Sequence, residues 1–371
     1  GIFTFDETEI QKKANYFEAN KSNLKLIKFV PASGAASRMF KFLNEFLNEY
    51  DVENESINAY INRKKASELS IFIVGLEKFP FFEAVQEQLR KLYPDFDKFE
   101  SDSKNYYFIK TLLSPQFFNY SNKPKAILPF HRYKNHIATP IEEHLLECAC
   151  YSSSNGKSHL HFTISENHQK AIESVIEQTK NKVEQTTQIA MEIGFSYQNK
   201  STDILAVDME NKPFRDENGK LFFRPGGHGA LIENINNLDG DLIFVKNIDN
   251  VIQNHKEINT LYKKALAGIM LELQKQIFSY LQAIEEGKDF NIEEIINFSK
   301  TNLNIKVSKD VFKYTLENQI LYIKKILDRP IRVCGMVKNE GDTGGGPFWV
   351  RDSKGVVSLQ IVETSQIDLT N

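Results

Sequence analysis

The sequence predicts an α/β protein built on a mixed, mostly parallel sheet with helical insertions, and three observations carry that prediction. Apolar runs of strand length recur along the chain and alternate with stretches of helical period. The run Leu242-Ile243-Phe244-Val245 is apolar and β-prone at every position, the pattern of a strand buried on both faces. It ends abruptly in Asn247-Ile248-Asp249-Asn250, and the loop ahead of it, residues 224–230, gathers Gly226, Gly227, His228 and Gly229. A parallel strand that delivers a carboxylate at its C-terminal end stands where open α/β sheets bind ligands. A nucleotide and a metal are therefore expected to meet at that edge.

The chain has 371 residues, enough for one large α/β domain with substantial insertions or for two lobes. Hydrophobic residues make up 41% and charged residues 26%, as in ordinary soluble globular proteins. A net charge of −3 provides no global basic field, so a nucleic-acid partner is not expected. No apolar run approaches the ~20 residues of a membrane span, and no basic-plus-apolar leader opens the chain. The expectation is a cytoplasmic protein without a membrane partner. Cys148, Cys150 and Cys334 form neither a zinc pattern nor an even disulfide set, and read as reduced, buried and structural.

In chain order, residues 6–21 read as a helix within an N-terminal segment 1–23. Residues 24–30 read as the first strand of a core spanning 24–254. The strand runs into Ser33, Gly34, Ala35, Ala36, Ser37 and Arg38, after which Phe40, Leu43, Phe46 and Leu47 recur at helical spacing. Small residues let a backbone come close to a phosphate, a helix N-terminus presents N–H groups, and Arg38 adds charge. A plain βα turn has the same composition. Residues 41–122 read as an aromatic-rich helical insertion, broken by Pro80 and Pro94, whose aromatics make a core. Pro124 and Pro129 hold a short extended segment from which Lys125 projects, either as a solvated lysine or as one placed on phosphate or base.

Thr139-Pro140-Ile141-Glu142-Glu143 is a helix start with a cap, a first-position proline and early acids. That helix is expected to reach Tyr151. Residues 158–164 read as a strand with His159 and His161 on one face. Sheet-face histidines beside polar partners are favoured over a metal pair, because no third ligand is near in sequence. A helix over 166–188 and a strand over 189–197 follow, then short strands and turns over 203–224. Residues 255–329 read as a second helical insertion. Residues 330–371 are expected to return to the core sheet, with strands at 330–338, 348–350 and 356–363 and a hairpin turn at 352–355.

Taken in order, these pieces resemble the sugar nucleotidyltransferases, most nearly the UDP-sugar pyrophosphorylase group that includes the UDP-glucose and UDP-N-acetylglucosamine enzymes. That family opens with a strand and a loop G-G-x-G-T-R-x-G. Residues 33–40 stand in its place, with Gly34 and Arg38 matching, Ser37 for threonine, and Ser33, Ala36 and Phe40 for glycines. The family's P-K resembles Pro124-Lys125, here after a long helical stretch rather than a short one. Its P-x-G-x-G base-binding segment resembles Pro225-Gly226-Gly227-His228-Gly229. Its N-x-D-N resembles Asn247-Ile248-Asp249-Asn250, and its late strand with a sugar-contacting glutamate resembles Val362-Glu363.

The resemblance implies a Rossmann-like, GT-A-like three-layer fold of the nucleotide-diphospho-sugar transferases. It implies transfer of a nucleotidyl group from an NTP, with UTP favoured, to a sugar 1-phosphate, with Mg held by Asp249. Arg38, Lys125 and Asp249 would be catalytic. Ser33, Gly34, Ala35, Ser37, Gly226, Gly227 and His228 would bind the nucleotide. Asn247, Gly345, Gly346 and Glu363 would bind the sugar. The family's C-terminal phosphate-neutralising lysine has no counterpart after Glu363. A natural chain continuing past Asn371 is the expectation, with Lys338 the other source. A glycosyltransferase using a nucleotide-sugar donor, and a nucleotide-binding homologue without turnover, are the rival expectations.

Overall fold

Strand-forming runs and capped helices appear where local chemistry asks for them. The computed structural model describes residues 2–338, 340, 344–353 and 355–368; the side chains of His228, Lys309 and Ser365 lie outside that description. The chain divides into two units, residues 22–256 and residues 1–21 with 257–371. The first helix, α1 (Glu7–Asn20), belongs to the second of these.

The 22–256 unit opens with β1 (Leu26–Pro31) and then α2 (Lys41–Glu49), α3 (Ile57–Lys64), α4 (Ser67–Val74), α5 (Phe82–Leu92) and α6 (Ser101–Leu113). A small hairpin follows, β2 (His131–Arg132) and β3 (Ile137–Ala138), leading into α7 (Pro140–Tyr151). Thr139 caps α7 through the Glu142 N–H, and Pro140 sits in its first turn, as the sequence asks. Then come β4 (Ser153–Ser154), β5 (Lys157–Ile164), α8 (Gln169–Thr187) and β6 (Ala190–Tyr197). The excursion β7 (Ile204–Leu205) and β8 (Phe223–Arg224), the short α9 (Ile232–Asn236) and β9 (Leu242–Val245) complete the unit.

The sheet is mixed and mostly parallel. β1 pairs parallel with β5 on one side, Ile27 opposite His159, and with β9 on the other, Leu26 opposite Leu242. β5 pairs parallel with β6, and β4 folds back antiparallel on β5. The parallel order is therefore β6-β5-β1-β9. The chain steps outward from β1 to β5 to β6, then crosses back to the far side of β1 as β9. That reversal makes the C-terminal ends of β1 and β9 the topological switch point, the place where sheets of this kind bind ligands.

Val30, Leu160, Phe162 and Ile164 bury one sheet face under Ile141, Leu145 and Cys148 of α7 and Ile172 and Ile176 of α8. Helices α2–α6 pack as a separate aromatic core in which Phe46 stacks on Tyr50 at 4.7 Å and meets Tyr60 edge-on at 5.2 Å. Of the cysteines, all free, only Cys148 is buried. Cys150 and Cys334 are exposed, against expectation; two residues on, Cys150 turns to the opposite side of α7 from the core.

The other unit holds α1, α10 (Lys256–Glu285, from its second residue), α11 (Ile292–Thr301), β10 (Ile305–Lys306), α12 (Leu316–Leu327), β11 (Gly345–Arg351) and β12 (Val357–Glu363). The described residues of 330–371 do not return to the parallel sheet, against expectation. β11 and β12 pair antiparallel with each other, and β12 pairs with β10. A tight turn, with Gly355 at φ +81° and Asp352 accepting the Val356 N–H at 2.9 Å, lets the two strands close locally. A parallel return would need a long crossover instead. The expected strand at 330–338 is absent: Pro330 lacks a donor and Gly335 weakens the run.

Gly268 of α10 lets α1 approach so closely that an added Cβ would fall on the Lys13 carbonyl. In an isolated helix a glycine-to-alanine change gains about 1 kcal/mol. Here overpacking outweighs that gain, and Gly268→Ala is expected to cost about 1–3 kcal/mol. Urea unfolding followed by circular dichroism checks it; equal or higher stability would contradict the close approach.

Candidate functional site

The loop after β1 is strapped rather than free. The Ala32 N–H donates to the Thr163 carbonyl at 2.7 Å, keeping the chain beside β5 past the strand end. Ala35 then forms an antiparallel bridge with Pro124. The Ala36 N–H donates to Lys123 O at 3.0 Å, and the Lys125 N–H donates to Gly34 O at 3.2 Å. Pro124 fixes the strap's backbone, and Ala126, fully buried, anchors it in the α7–α8 core. The P-K segment, far along the chain, thus lies against the small-residue loop.

Lys125 reaches from this strap to Asp249, its Nζ 2.6 Å from Oδ2. The side chains are 23% and 35% exposed, so the pair is open to a ligand on one side. Asp249 is delivered by β9: the Lys246 N–H continues the ladder to Phe29 O, and Ile248 is buried in the core. The Ile248 carbonyl accepts a hydrogen bond from His144 Nε2 of α7 at 3.1 Å. Burial holds the His144 pKa well below its ordinary value, so the ring is neutral and carries its proton on Nε2.

Residues 33–37, Lys125 and Asp249 therefore meet at the switch point. Arg38 follows as an exposed residue, with no hydrogen bond from its guanidinium among the described residues. The α2 N-terminus is less free than expected. The N–H groups of Phe40 and Lys41 bond to the carbonyls of Ala36 and Arg38, at 3.2 and 3.4 Å. Asn247 is exposed at the same edge as Asp249.

Gly226 and Gly227 lie past the end of β6. Gln198 Nε2 donates to the Gly226 carbonyl at 3.2 Å, and a Cβ on Gly226 would stand 2.6 Å from the Thr202 carbonyl. Asn234, buried, donates to Ser196 Oγ and Tyr197 O, both at 2.9 Å, tying the segment after the glycines to the strand end. His161 Nε2 meets the same Ser196 Oγ at 2.9 Å, and His159 Nδ1 lies 3.1 Å from Glu192. Both are sheet-face histidines with polar partners, and no cluster of three metal-binding side chains occurs among the described residues. His228's side chain is outside those residues. Gly345, Gly346 and Glu363 belong to the other unit, where Gly345 and Glu363 are register partners on β11 and β12.

Two buried charge networks behind this edge are absent from the sequence reading. Glu147 of α7 accepts from Lys28 Nζ on β1 at 2.8 Å, from Lys246 Nζ at 2.6 and 2.8 Å, and from the Tyr151 hydroxyl at 3.1 Å. Burial alone would raise this carboxyl's pKa, but the two ammonium groups overcome it and hold it at about 2. Burial pushes Lys28 down to about 8 against the pull of Glu147. The second network gathers His131 Nδ1, the Tyr133 hydroxyl and Lys256 Nζ on Glu143, at 2.8, 2.6 and 2.8 Å. The available signal was a lysine inside an otherwise apolar strand, Leu26-Ile27-Lys28-Phe29-Val30, and acids at i and i+4 on α7.

The site's chemistry follows. Lys125, the exposed Arg38 and small-residue backbone suit an oxyanion such as a phosphate. Asp249 is a single hard carboxylate, which fits Mg in the usual manner, one or two carboxylates with substrate phosphates completing the shell.

Removing one partner of a buried ionic group leaves the others uncompensated, so Glu147→Gln is expected to lose about 3 kcal/mol or more. The folded-state pKa of Glu147 lies below its unfolded value, near 4.5. Its stabilisation is therefore complete above that value and lost as pH falls toward about 2. Urea midpoints against pH should show that slope in the wild type and a weaker one in Glu147→Gln; parallel curves would remove the network from the stability account.

No curated protein and no solved structure matches the chain. A family model described as Domain of unknown function (DUF4301) matches residues 1–371, and the chain belongs to that family.

Proposed function

We propose that the protein transfers a nucleotidyl group from a nucleoside triphosphate, with UTP favoured, to a sugar 1-phosphate, releasing pyrophosphate. The observation that carries this reading is the meeting of the 33–37 loop, Lys125 and Asp249 at the C-terminal edge of β1 and β9. The third-second-first-fourth order of the parallel strands supports a nucleotide across that edge and a GT-A-like, three-layer form of the fold. The cytoplasm suits such chemistry; no helix among the described residues is long and apolar enough to cross a membrane.

In this reading a sugar-phosphate oxygen attacks the α-phosphorus in line. The new P–O bond forms as the bond to the β-phosphate oxygen breaks, and pyrophosphate leaves. No protein nucleophile is required; the chain aligns the reactants and stabilises charge. The backbone of Ser33, Gly34, Ala35 and Ser37, with Arg38, would hold the departing pyrophosphate, and Lys125 would sit on phosphate. Gly226, Gly227 and His228 would recognise the base. Asn247, at the same edge as Asp249, would meet the sugar. Asp249 would hold Mg, which when bound supplies charge neutralisation across the phosphate oxygens.

The test incubates the protein with Mg, each NTP and a panel of sugar 1-phosphates, and assays pyrophosphate. Asp249→Ala is expected to lower kcat/KM by roughly 100-fold, about 3 kcal/mol of transition-state stabilisation. Unchanged turnover in that variant sinks the assignment. Nucleotide binding in calorimetry without pyrophosphate release would leave a binding module, and sugar transfer from a UDP-sugar would make the protein a glycosyltransferase.

A further inference from the structure

We propose that Lys125 and the metal compete for Asp249, so that a divalent cation enters this site together with a polyphosphate and not alone. The nature of the ligands rests on the nucleotidyltransferase reading; the competition rests on the ion pair. Lys125 Nζ stands 2.6 Å from Asp249 Oδ2. A magnesium ion binds a carboxylate oxygen at about 2.0–2.1 Å. An ammonium and a dication on that one carboxylate would be near neighbours of like charge, and their repulsion in a partly buried site is strong.

The lysine cannot retreat with its backbone. Its N–H is bonded to Gly34 O, Pro124 is bridged to Ala35, and Ala126 is fully buried. Only the side-chain torsions are free to carry the ammonium away. Asp249 is the one partner of that ammonium among the described residues. A cation arriving alone would therefore leave a partly buried ammonium without a counter-charge. It would also find one carboxylate rather than a cage, since no cluster of three metal-binding side chains exists among the described residues.

A polyphosphate changes both terms. Lys125 rises from a strap bonded to the 34–36 loop, the backbone on which phosphate would lie. On leaving Asp249 the ammonium would pass to a phosphate oxygen, and the freed carboxylate would then be able to hold the metal. Metal and polyphosphate then favour each other's binding by one shared factor, because linkage is reciprocal.

The experiment titrates Mn2+ into the full chain without nucleotide, reading free Mn2+ by electron paramagnetic resonance. Lys125→Met keeps an unbranched side chain one atom shorter and removes the charge, with Lys125→Gln as a second variant and circular dichroism as the folding control. Mn2+ alone is expected to bind the variants about tenfold more tightly than the wild type, a coupling of ordinary size. The gain should vanish when Asp249→Asn is added. The factor by which Mn2+ tightens UTP binding should fall in the lysine variants. Equal or weaker Mn2+ binding in both folded lysine variants overturns the competition, as does a gain that survives Asp249→Asn. If the gain appears while no NTP and sugar phosphate yield pyrophosphate, the competition stands and the reaction assignment falls.

Discussion

The buried carboxylate of Glu147 is the interaction on which the rest of the 22–256 unit depends. It accepts from a lysine on β1, a lysine just past β9 and a tyrosine on its own helix. β1 and β9 are the paired parallel strands between which the order of the chain reverses, so one side chain fixes α7 against both. A buried ion group is not strongly stabilising compared with apolar residues of similar shape, because desolvation offsets the attraction. Its force lies in what misalignment would cost: a helix docked out of register would leave several charges unpaired in a dry interior. Tyr151 adds to the constraint, its ring under Lys28 Nζ at 5.1 Å and 5.1 Å from Phe244 of β9.

From that anchor the edge is assembled outward. α7 carries His144, whose neutral ring bonds the Ile248 carbonyl next to Asp249. It also carries Glu142 and Glu143, which hold the β2–β3 hairpin through His136 at 3.0 Å and His131 at 2.8 Å. The same helix packs on the turn Lys125–Ile127 that presents Lys125. One helix thus sets three things at once: the carboxylate at the end of β9, the lysine opposite it and the hairpin beside them. The pair Lys125–Asp249 is partly exposed where the groups behind it are buried, and the buried network keeps its backbone supports in place.

Local structure was legible wherever one stretch of sequence held the whole signal. β9 runs over the four apolar residues that the pattern marks, Leu242–Val245. α7 starts at its Thr-Pro cap and ends at Tyr151, where its apolar periodicity ends. The Asn211 and Gly219 turns, both at positive φ, fall where turn residues cluster. Reading failed where a short run had two ways to satisfy its backbone. The hairpin of the last two strands forms as expected, but its strand character fits the core sheet as well as a separate one, and the pairing of β12 with β10 decided for the separate sheet. The lysine in the apolar run 26–30 marked a buried charge, but no local pattern named Glu147 and Lys246 as its partners.

By itself the sequence determined the α/β class, the places of most strands and helices, and which side chains bring cationic or carboxylate groups. Those properties follow from period, capping and side-chain type, all encoded within a few residues. Only the tertiary structure decided which charges meet. Lys125 and Asp249 are 124 positions apart, and Lys28 and Glu147 are 119 apart. Their pairing depends on the crossover that returns β9 beside β1, and no local pattern specifies on which side of a strand a distant one will lie.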